Sequence, residues 1–530
     1  MQETKRIIVD GPELTSSLKK GIDKLSDTVK VTMGPKGRLV LIQRPHQHPL
    51  ITKDGVTVAQ SINLEDEVEN LGAQIIKEAA ARTADEAGDG STSATVLAQS
   101  IYSEGQKMIA AGFDVVGLCK GIRLACDLVT NHIDTVAKEV NCENDLMQVA
   151  LISANGESEI SKLIVNAIQA AGVDGHVIVE EAKGFKSSLT VVDGYQIDRG
   201  YLSPYFISDK NKMNCTFNDP LILLADRNFS SIHELMKPLE AALDMSRSIL
   251  VIANEIDGDA MQGLVLNRVK GSLQVCAIKS PGFGAARHDL LNDLQSIVGG
   301  KVINSSFDMQ SFSAECFGTC KKVIIKKSSA LFINDNDENF EVSNRIDSIK
   351  SKLEDPSIDK NEKELLTYRL QQLSGGIAIL RVGASTESEL IERYDRVDDA
   401  LNATKAAMQE GIIPGGGVAL ARSSKYINIE ADEQKNLDVA AGMRVVSKSC
   451  LAPFKQIIIN SGESPELILK TVLSNAENVG YDSRENKYGD MFELGIVDPK
   501  KVVRCSIENA ASAASMLLSV KSSLIEVSKN

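Results

Sequence analysis

Apolar residues recur every three or four positions through the first quarter of the chain, which is the spacing of one face of an α-helix. Between residues 66 and 87, for example, Val68, Leu71, Ile75 and Ala79 fall on one face. The same pattern predicts further helices over residues 14–31, 91–111 and 116–136. The first part of the chain is therefore predicted to be mainly helical.

The middle of the chain follows a different pattern, in which short apolar, β-branched runs alternate with helical stretches. The runs are residues 176–180, 189–193, 221–225, 249–253, 275–278 and 322–325. This alternation predicts an α/β domain. Residues 38–43 and 49–52 predict a separate hairpin within the helical first part, and residues 339–373 predict a charged helical hairpin broken at Pro356.

Helical periodicity returns over residues 390–409 and continues beyond Gly411 to the end. A helical first part, an α/β middle and a helical last part predict a discontinuous helical domain into which the middle is inserted. The glycines that flank the middle, Gly194 and Gly375–Gly376, are candidate hinges.

Composition narrows the class of protein. The 530 residues carry a net charge of −14, with 58 basic and 72 acidic residues and no basic block, which argues against nucleic acid as the main partner. No apolar run reaches membrane-spanning length, and the N-terminus lacks the apolar core of a signal peptide. Nine cysteines without a CxxC pair indicate reduced thiols. We expect a cytoplasmic protein, although an organelle or phage origin fits the same features.

The segment Gly88-Asp89-Gly90-Ser91-Thr92-Ser93-Ala94-Thr95 combines a lone carboxylate with consecutive hydroxyls between two predicted helices. The glycines end the first helix and place the hydroxyls in the first turn of the second, where free N–H groups and the helix dipole favour an anion. An acid in a phosphate site implies a cation between them, so Asp89 predicts bound Mg²⁺. An ordinary N-cap is the alternative interpretation.

Further segments place acids or glycines where a ligand could approach the backbone. They are residues 31–38, 51–55, 397–401, 415–417 and 495–499. Each alone also fits an ordinary turn or helix. No Walker A motif is present, because Lys301 is followed by Val302, and no dinucleotide fingerprint is complete. A P-loop kinase or a dehydrogenase is therefore disfavoured.

In this order along the chain, the segments resemble the group I chaperonins, the GroEL type of bacteria and organelles. The resemblance runs from about Leu18 to the C-terminus. Its most specific strings are residues 31–38, 51–56, 88–99, 152–155, 198–207, 281–284, 399–404 and 411–420. It implies an α+β multidomain fold with three parts. These are a helical, discontinuous equatorial ATPase domain (1–135 and 410–530), a small α/β intermediate hinge domain (136–192 and 377–409) and an α/β apical domain for clients and co-chaperonin (193–376).

The resemblance also implies a function. Such proteins are ATP-dependent chaperones that enclose unfolded polypeptides in the cavity of a homo-oligomeric ring and promote their folding with a GroES-type co-chaperonin. The expected ring has seven subunits, and the assembly one or two rings. The expected ligands are ATP, Mg²⁺ and K⁺.

The family's site residues transfer to matching positions of this sequence. Asp89 matches the Mg²⁺ ligand, and Asp54 and Asp399 match the catalytic carboxylates that orient the attacking water. Asp399 would complete the site only when ATP binds. The positions that match nucleotide contacts are Thr32, Met33, Gly34, Pro35, Lys53, Gly90, Ser91, Thr92, Ser93, Gly416 and Asp498.

The positions that match client contacts lie in the middle of the chain. They are Tyr201, Tyr205, Phe206, Met236, Leu239, Met261, Val265 and Leu266. Their helical spacing equally fits a packed core stripe. Arg199 and Glu387 match a salt bridge between neighbouring subunits.

Several positions depart from the family's pattern. Residues 482–484 read Asp-Ser-Arg after Tyr481, where the family has Asn-Ala-Ala near the adenine, and the Gly-Gly-Met tail is missing. Pro238 is expected to kink or shorten the first client-binding helix. The alternative function is therefore a divergent paralogue that holds unfolded chains without an ATP-driven cycle, and a small-molecule kinase is a third reading.

Overall fold

The computed structural model describes residues 5–44, 49–140, 143–154, 156–171, 176–182, 184–209, 213–305, 312–334, 340–353, 360–374 and 376–527. The helices are α1 (Gly11–Val29), α2 (Gly55–Ser61), α3 (Glu67–Ala87), α4 (Ser91–Ala110), α5 (Val115–Val136), α6 (Glu143–Ser153), α7 (Ser158–Ala171), α8 (Met236–Asp244), α9 (Gly258–Val269), α10 (Gly284–Val298), α11 (Phe340–Leu353), α12 (Lys360–Ser374), α13 (Glu387–Glu410), α14 (Val418–Glu433), α15 (Leu437–Ser449), α16 (Ala452–Asn460), α17 (Pro465–Ser474) and α18 (Lys500–Ser519).

The strands, in the same order, are β1 (Lys5–Asp10), β2 (Val40–Ile42), β3 (Leu50–Thr52), β4 (His176–Glu181), β5 (Ser188–Ile197), β6 (Cys215–Asn218), β7 (Leu221–Ala225), β8 (Asn228–Phe229), β9 (Ile249–Ala253), β10 (Glu255–Ile256), β11 (Val275–Lys279), β12 (Val302–Ile303), β13 (Gly318–Thr319), β14 (Lys322–Ile325), β15 (Ala330–Ile333), β16 (Gly376–Val382), β17 (Ile412–Pro414), β18 (Val479–Asp482), β19 (Lys487–Asp490), β20 (Val497–Pro499) and β21 (Ser522–Val527).

The chain divides into two compact units. Unit 1 comprises Met1–Val165, Glu181–Ser188 and Arg381–Asn530, and unit 2 comprises Asn166–Glu180 and Leu189–Leu380. Unit 1 thus contains both ends of the chain, as the helical–α/β–helical pattern of the sequence predicts for a domain interrupted by an insertion.

Unit 1 has a helical core. Helices α1, α3, α4 and α18 pack together, and α5 packs against α15. Leu14, Leu18 and Ile22 form the buried stripe of α1, at the four-residue spacing of one helix face. A Cβ at Gly121 of α5 would lie 2.0 Å from the carbonyl oxygen of Val439, so only glycine lets α5 and α15 approach this closely.

Short antiparallel pairs complete unit 1. The terminal strands β1 and β21 pair with each other, β2 pairs with β3 in the predicted hairpin, and β17 pairs with β20. Strands β18 and β19 form another hairpin. These pairs matter because β17, β20 and the β18–β19 turn carry residues of the site described below.

Unit 2 is built on two sheets. One has the order β11-β9-β7-β12 with parallel neighbours, and β13 pairs antiparallel with β7. The other has the order β4-β16-β5-β15-β14-β6. Every residue of β7 and β9 is buried, which explains why these strands are continuous apolar runs instead of alternating ones.

A buried ion cluster joins three helices of unit 2. The carboxylate of Asp293 on α10, which is completely buried, accepts hydrogen bonds from Arg345 of α11 (2.7 Å) and Arg369 of α12 (2.6 Å). The cluster therefore fixes the helical hairpin α11–α12 to α10. It also explains why a hairpin of such charged composition packs against an apolar core.

The helices and strands predicted from the sequence are confirmed within a few residues at their ends, and one local prediction is wrong. Gly194 is not a hinge: it lies inside β5, where a Cβ would be 1.7 Å from the side chain of Ile377. Gly376 begins β16, and Gly375 lies outside the described residues. Pro238 occupies the first turn of α8, which begins at Met236 directly after a 3₁₀ turn (Ile232–Leu235). A proline is tolerated at this end of a helix, so Pro238 fits the expected shortening of the α-helix.

No helix in the described part of the chain is long and apolar enough to cross a membrane. The described cysteines are unpaired, as the sequence predicts.

Candidate functional site

A cavity of about 600 Å³ in unit 1 brings most of the predicted site residues together. The predicted residues that line it are Thr32, Met33, Gly34, Pro35, Lys53, Asp54, Asp89, Gly90, Thr92, Ser93, Asp399, Gly416 and Asp498. Ser91 is the exception, since it is buried behind the wall and its carbonyl oxygen accepts a hydrogen bond from the Thr95 hydroxyl (2.9 Å).

Two helices begin at one wall of the cavity. Helix α4 follows Gly90, which adopts a left-handed conformation (φ 89°), and no side chain caps its first turn. The N–H groups and hydroxyls of Thr92 and Ser93 are thus available to a ligand at the positive end of the helix dipole. Helix α2 begins beside it, at Gly55. This arrangement favours bound anionic oxygens.

Asp89 is a buried carboxylate at the same wall. Its Oδ1 accepts a hydrogen bond from the N–H of Gly90 (2.5 Å). Burial and the neighbouring carboxylate of Asp54 raise its pKa. A cation beside Asp89 would offset both effects. Among the residues that the structure describes, no group of three or more His, Cys, Asp or Glu side chains is placed to hold a metal ion.

Asp54 has a structural role that the sequence analysis missed. Its carboxylate caps α2 by accepting hydrogen bonds from the N–H groups of Val56 (3.2 Å) and Thr57 (2.7 Å). The cap holds the carboxylate in one orientation at the cavity. The preceding Lys53 donates from Nζ to the carbonyl oxygen of Gly34 (2.9 Å), and burial lowers the pKa of its ammonium group.

Asp498 closes another side of the cavity. It lies on β20 opposite Ile413 of β17, and its carboxylate accepts hydrogen bonds from the N–H groups of Gly416 and Gly417. Burial, followed by the charge of Asp89, raises its pKa to about 7. Gly416 and Gly417 both have positive φ (65° and 77°), so the turn before α14 requires the glycines that the sequence places there.

One face of α13 supplies four charged side chains to the cavity. Glu392, Asp395, Arg396 and Asp399 follow the i, i+3, i+4, i+7 spacing and all line it. Burial, with the carboxylates of Asp89 and Asp54, raises the pKa of Asp399 well above its ordinary value. The cavity therefore brings together the predicted metal ligand Asp89 and the predicted catalytic acids Asp54 and Asp399.

Glu392, Asp395 and Arg396 were missed by the sequence analysis, although the spacing from Asp399 could have identified them. Burial, then the charge of Asp54, raises the pKa of Asp395 to about 7. Arg396 pairs with Glu157, in the turn that follows α6, and this ion pair holds α13 against that turn.

The comparison with known families agrees with this fold. The model of the TCP-1/cpn60 chaperonin family matches residues 25–526. The chain belongs to the TCP-1/cpn60 chaperonin family. The chaperonin fold expected from the sequence is thereby confirmed.

Two solved structures of a phage chaperonin are similar to this one. Both are of the chaperonin gp146 from the bacteriophage EL 2 (Pseudomonas aeruginosa), in presence of ATP-BeFx. Crystal form II superposes with a TM-score of 0.70 at 21% identity, covering 97% of this chain and 98% of the other. Crystal form I gives 0.64 at 21% identity, with 98% and 99% covered. At this identity the similarity concerns the chaperonin fold.

Unit 2 carries the residues expected to contact clients in a chaperonin, and their exposure differs. Tyr205, Met236 and Leu266 are 68%, 42% and 52% exposed. Phe206 is completely buried and Leu239 is only 9% exposed, so these two belong to the core and are not presented to a client in this structure. The remaining three, Tyr201, Met261 and Val265, pack partly against the same core.

The expected inter-subunit pair of the chaperonins involves Arg199 and Glu387. The guanidinium of Arg199 lies 5.2 Å from the ring centre of Phe283, which is 71% exposed. The side chain of Glu387 lies outside the described residues. The pairing therefore stays a prediction.

Proposed function

We propose that this chaperonin hydrolyses ATP in the cavity of unit 1 and uses the cycle to fold unfolded polypeptides. The observation that supports this most directly is that Asp54, Asp89 and Asp399 line one cavity beside the uncapped start of α4. Three acids around an anion-binding helix end are unfavourable unless cations and a phosphate group lie between them.

The residues of the cavity divide the chemistry among them. Thr92 and Ser93 donate hydrogen bonds to phosphate oxygens, and Gly416 and Asp498 contact the ribose. Asp54 and Asp399 orient a water molecule and accept its proton as its oxygen attacks the γ-phosphorus in line. The bond to the β,γ-bridging oxygen breaks, and ADP and phosphate leave. Asp89 would hold Mg²⁺, which together with K⁺ would supply positive charge to stabilise the phosphate oxygens.

The chaperone function belongs to the assembly. We propose homo-oligomeric rings of seven subunits, in one or two layers, that enclose clients in the cytoplasm and close with a GroES-type co-chaperonin. Each subunit would be divided into the equatorial, intermediate and apical domains named above. Unfolded polypeptides would bind through the exposed apolar side chains of unit 2, where flexible methionines such as Met236 adapt to irregular partners.

An Asp399→Asn variant tests the proposal. We expect roughly a 100-fold or greater loss of ATPase rate with ATP binding retained, because the substitution removes the proton acceptor and keeps the shape. Asp398→Asn, at the preceding position of α13 and outside the cavity lining, is the matched control. Unchanged hydrolysis in the Asp399 variant would reject the assigned role. Protection of a denatured client that is equally good without ATP would instead identify the divergent holding paralogue.

A further inference from the structure

Two cysteine thiols meet in the core of unit 2. Cys215 begins β6, Cys276 lies in β11, and both residues are completely buried. Both are free thiols in this structure. The thiol of Cys276 donates a hydrogen bond to the sulfur of Cys215, so the two side chains are in direct contact. Two thiols that already touch can be oxidised to a disulfide, in which the sulfur atoms are about 2.05 Å apart.

The contact lies between the two sheets of unit 2. Strand β6 is the last strand of the order β4-β16-β5-β15-β14-β6, and β11 is the first strand of the order β11-β9-β7-β12. The cysteines thus extend from the edge strand of one sheet and from the edge strand of the other. A disulfide between them would cross-link the two sheets covalently.

The same two strands anchor the segment of residues 201–209. Near its start, the N–H of Leu202 donates to the carbonyl oxygen of Ala277 (2.9 Å), the residue after Cys276. Near its end, the N–H of Ser208 donates to the carbonyl oxygen of Asn214 (3.0 Å), the residue before Cys215. Both anchors of the segment are therefore adjacent in sequence to the paired cysteines, and a bond between the cysteines would fix the anchors together.

The two thiols differ in reactivity. The hydrogen bond from Cys276, aided by the positive charge of Arg268 on α9, lowers the pKa of the Cys215 thiol, although burial opposes both effects. Burial, followed by the contact with Cys215, raises the pKa of the Cys276 thiol well above its ordinary value. Cys215 is therefore the thiolate of the pair, and the thiolate is the form that reacts with oxidants.

A small oxidant has a short path to this thiolate. The hydroxyl of Ser208 lies within hydrogen-bonding reach of the Cys215 sulfur, and Ser208 itself is exposed. The sulfur is thus separated from solvent by one side chain of the 201–209 segment. Local opening of that segment would admit a molecule of the size of water or hydrogen peroxide.

We propose that Cys215 and Cys276 form a reversible disulfide when the protein meets hydrogen peroxide, and that this bond restrains the 201–209 segment. The Cys215 thiolate attacks a peroxide oxygen, the O–O bond breaks, and the hydroxide released takes up the proton that Cys215 had lost. The sulfur of Cys276 then attacks the sulfenic acid formed on Cys215, the S–O bond breaks, and the thiol proton of Cys276 leaves with the oxygen as water. Two thiols lose two electrons, and one peroxide becomes two waters.

The disulfide itself does not depend on the proposed function of the protein. Its consequence for clients does rest on that function, because Tyr201 and Tyr205 are expected client contacts and belong to the restrained segment. The measurements below need neither nucleotide nor client. Failure of the proposed function would therefore leave their outcome unchanged.

Mass spectrometry of the native full-length chain after exposure to hydrogen peroxide tests the proposal. We expect peptides linked through Cys215 and Cys276 at peroxide concentrations no higher than those that oxidise the partly exposed Cys119, and we expect dithiothreitol to reverse the link. Cys320→Ala is the matched control, because this thiol is also buried in unit 2 but donates to the carbonyl oxygen of Lys322 (3.5 Å). That variant should form the same link. Oxidation of Cys119 with the pair still reduced would overturn the proposal, as would a link that forms only after unfolding.

Hydrogen exchange of the wild type before and after oxidation measures the restraint. The amides of Leu202 and Ser208 should exchange at least about threefold more slowly in the linked chain, because the bond suppresses local opening. The unfolding midpoint of unit 2 should rise by roughly 5–10 °C. Cys276→Ala treated with the same peroxide should show neither change. Equal exchange in the linked and the reduced wild type would show that the bond does not restrain the segment.

Discussion

Gly55 faces Thr92 so closely that a Cβ at residue 55 would lie 2.2 Å from Oγ1 of Thr92 and 2.8 Å from Oγ of Ser91. The first turns of α2 and α4 are therefore in direct contact. Their positive dipole ends converge on one wall of the cavity, although like ends repel each other. The arrangement is favourable when anionic groups, first Asp54 and then a phosphate, lie in front of it.

Gly55→Ala is expected to inactivate the ATPase without unfolding unit 1. The methyl group must push α2 and α4 apart by about 1 Å, which misplaces Thr92 and the capping carboxylate of Asp54, and displacements of that size cost about 100-fold in rate. Steady-state hydrolysis and circular dichroism would measure the two effects. Gly184→Ala is the matched control, because a Cβ there has no heavy atom within 4 Å. Normal hydrolysis by the Gly55 variant would show that the close contact is not required.

The sequence predicted the elements and most of the cavity, because both depend on short-range patterns. Helical and strand periodicity located the helices and strands, and the acids and glycines beside their ends line the cavity as expected. Asp395 escaped notice because it lies inside a helix rich in charged residues, where a solvated face is the ordinary interpretation. Only the packing of α13 against the cavity gives it a role.

Burial is the property that the sequence predicted least well. Tyr205 and Phe206 are adjacent, yet one is 68% exposed and the other is completely buried. The 3₁₀ turn Pro204–Phe206 gives them different environments, and the Ser203-Pro204 pair that begins the turn does not indicate which of the two side chains is buried. Pro238 likewise has an ordinary position once the helix is known to begin at Met236. Tertiary packing decides these features.

Asp395→Asn is expected to make unit 1 more stable than the wild type at alkaline pH. At acid pH the difference between the two proteins should be smaller. Burial raises the pKa of Asp395 to about 7 from the ordinary value of 3.8. The native state therefore binds more protons than the unfolded state between these values, and the contribution of Asp395 to stability falls as the pH rises through that window.

The amide does not titrate, so the variant avoids this loss. Near pH 8 it should exceed the wild type by on the order of 2 kcal/mol in free energy of unfolding, and near pH 5 the difference should shrink towards zero. Thermal unfolding midpoints without nucleotide, measured at both pH values, give the comparison. A difference between the two proteins that is the same at both pH values would contradict the prediction.

Leu266→Ser is expected to reduce capture of an unfolded polypeptide with little change in stability. Leu266 is 52% exposed on α9, so the substitution removes apolar surface that a client could cover, without opening a cavity. Leu264→Ser, two residues earlier on the same helix, is the matched control, because Leu264 is completely buried and its loss should lower the unfolding midpoint. Light scattering of a denatured client and thermal unfolding separate the effects. Full capture by the Leu266 variant would remove this face of α9 from the proposed client surface.

Asp293→Asn is expected to destabilise unit 2 by about 3–5 kcal/mol, the usual range for breaking a buried ion pair from one side. Arg369 is only 2% exposed and would keep its positive charge. Asp289, whose side chain is 42% exposed, would remain as its acidic partner. Asp219→Asn supplies the same change at an exposed pair, since its side chain is 75% exposed beside Arg247. That variant should lose less than about 1 kcal/mol.

Chemical denaturation of both variants, followed by fluorescence of the tyrosines in unit 2, measures the difference. Equal losses at the two sites would mean that the cluster contributes no more than a surface ion pair. A large loss for the Asp293 variant alone would show that the charged hairpin α11–α12 is retained by the buried carboxylate. The few apolar side chains of the hairpin, such as Ile349 and Leu366, would then be insufficient to hold it.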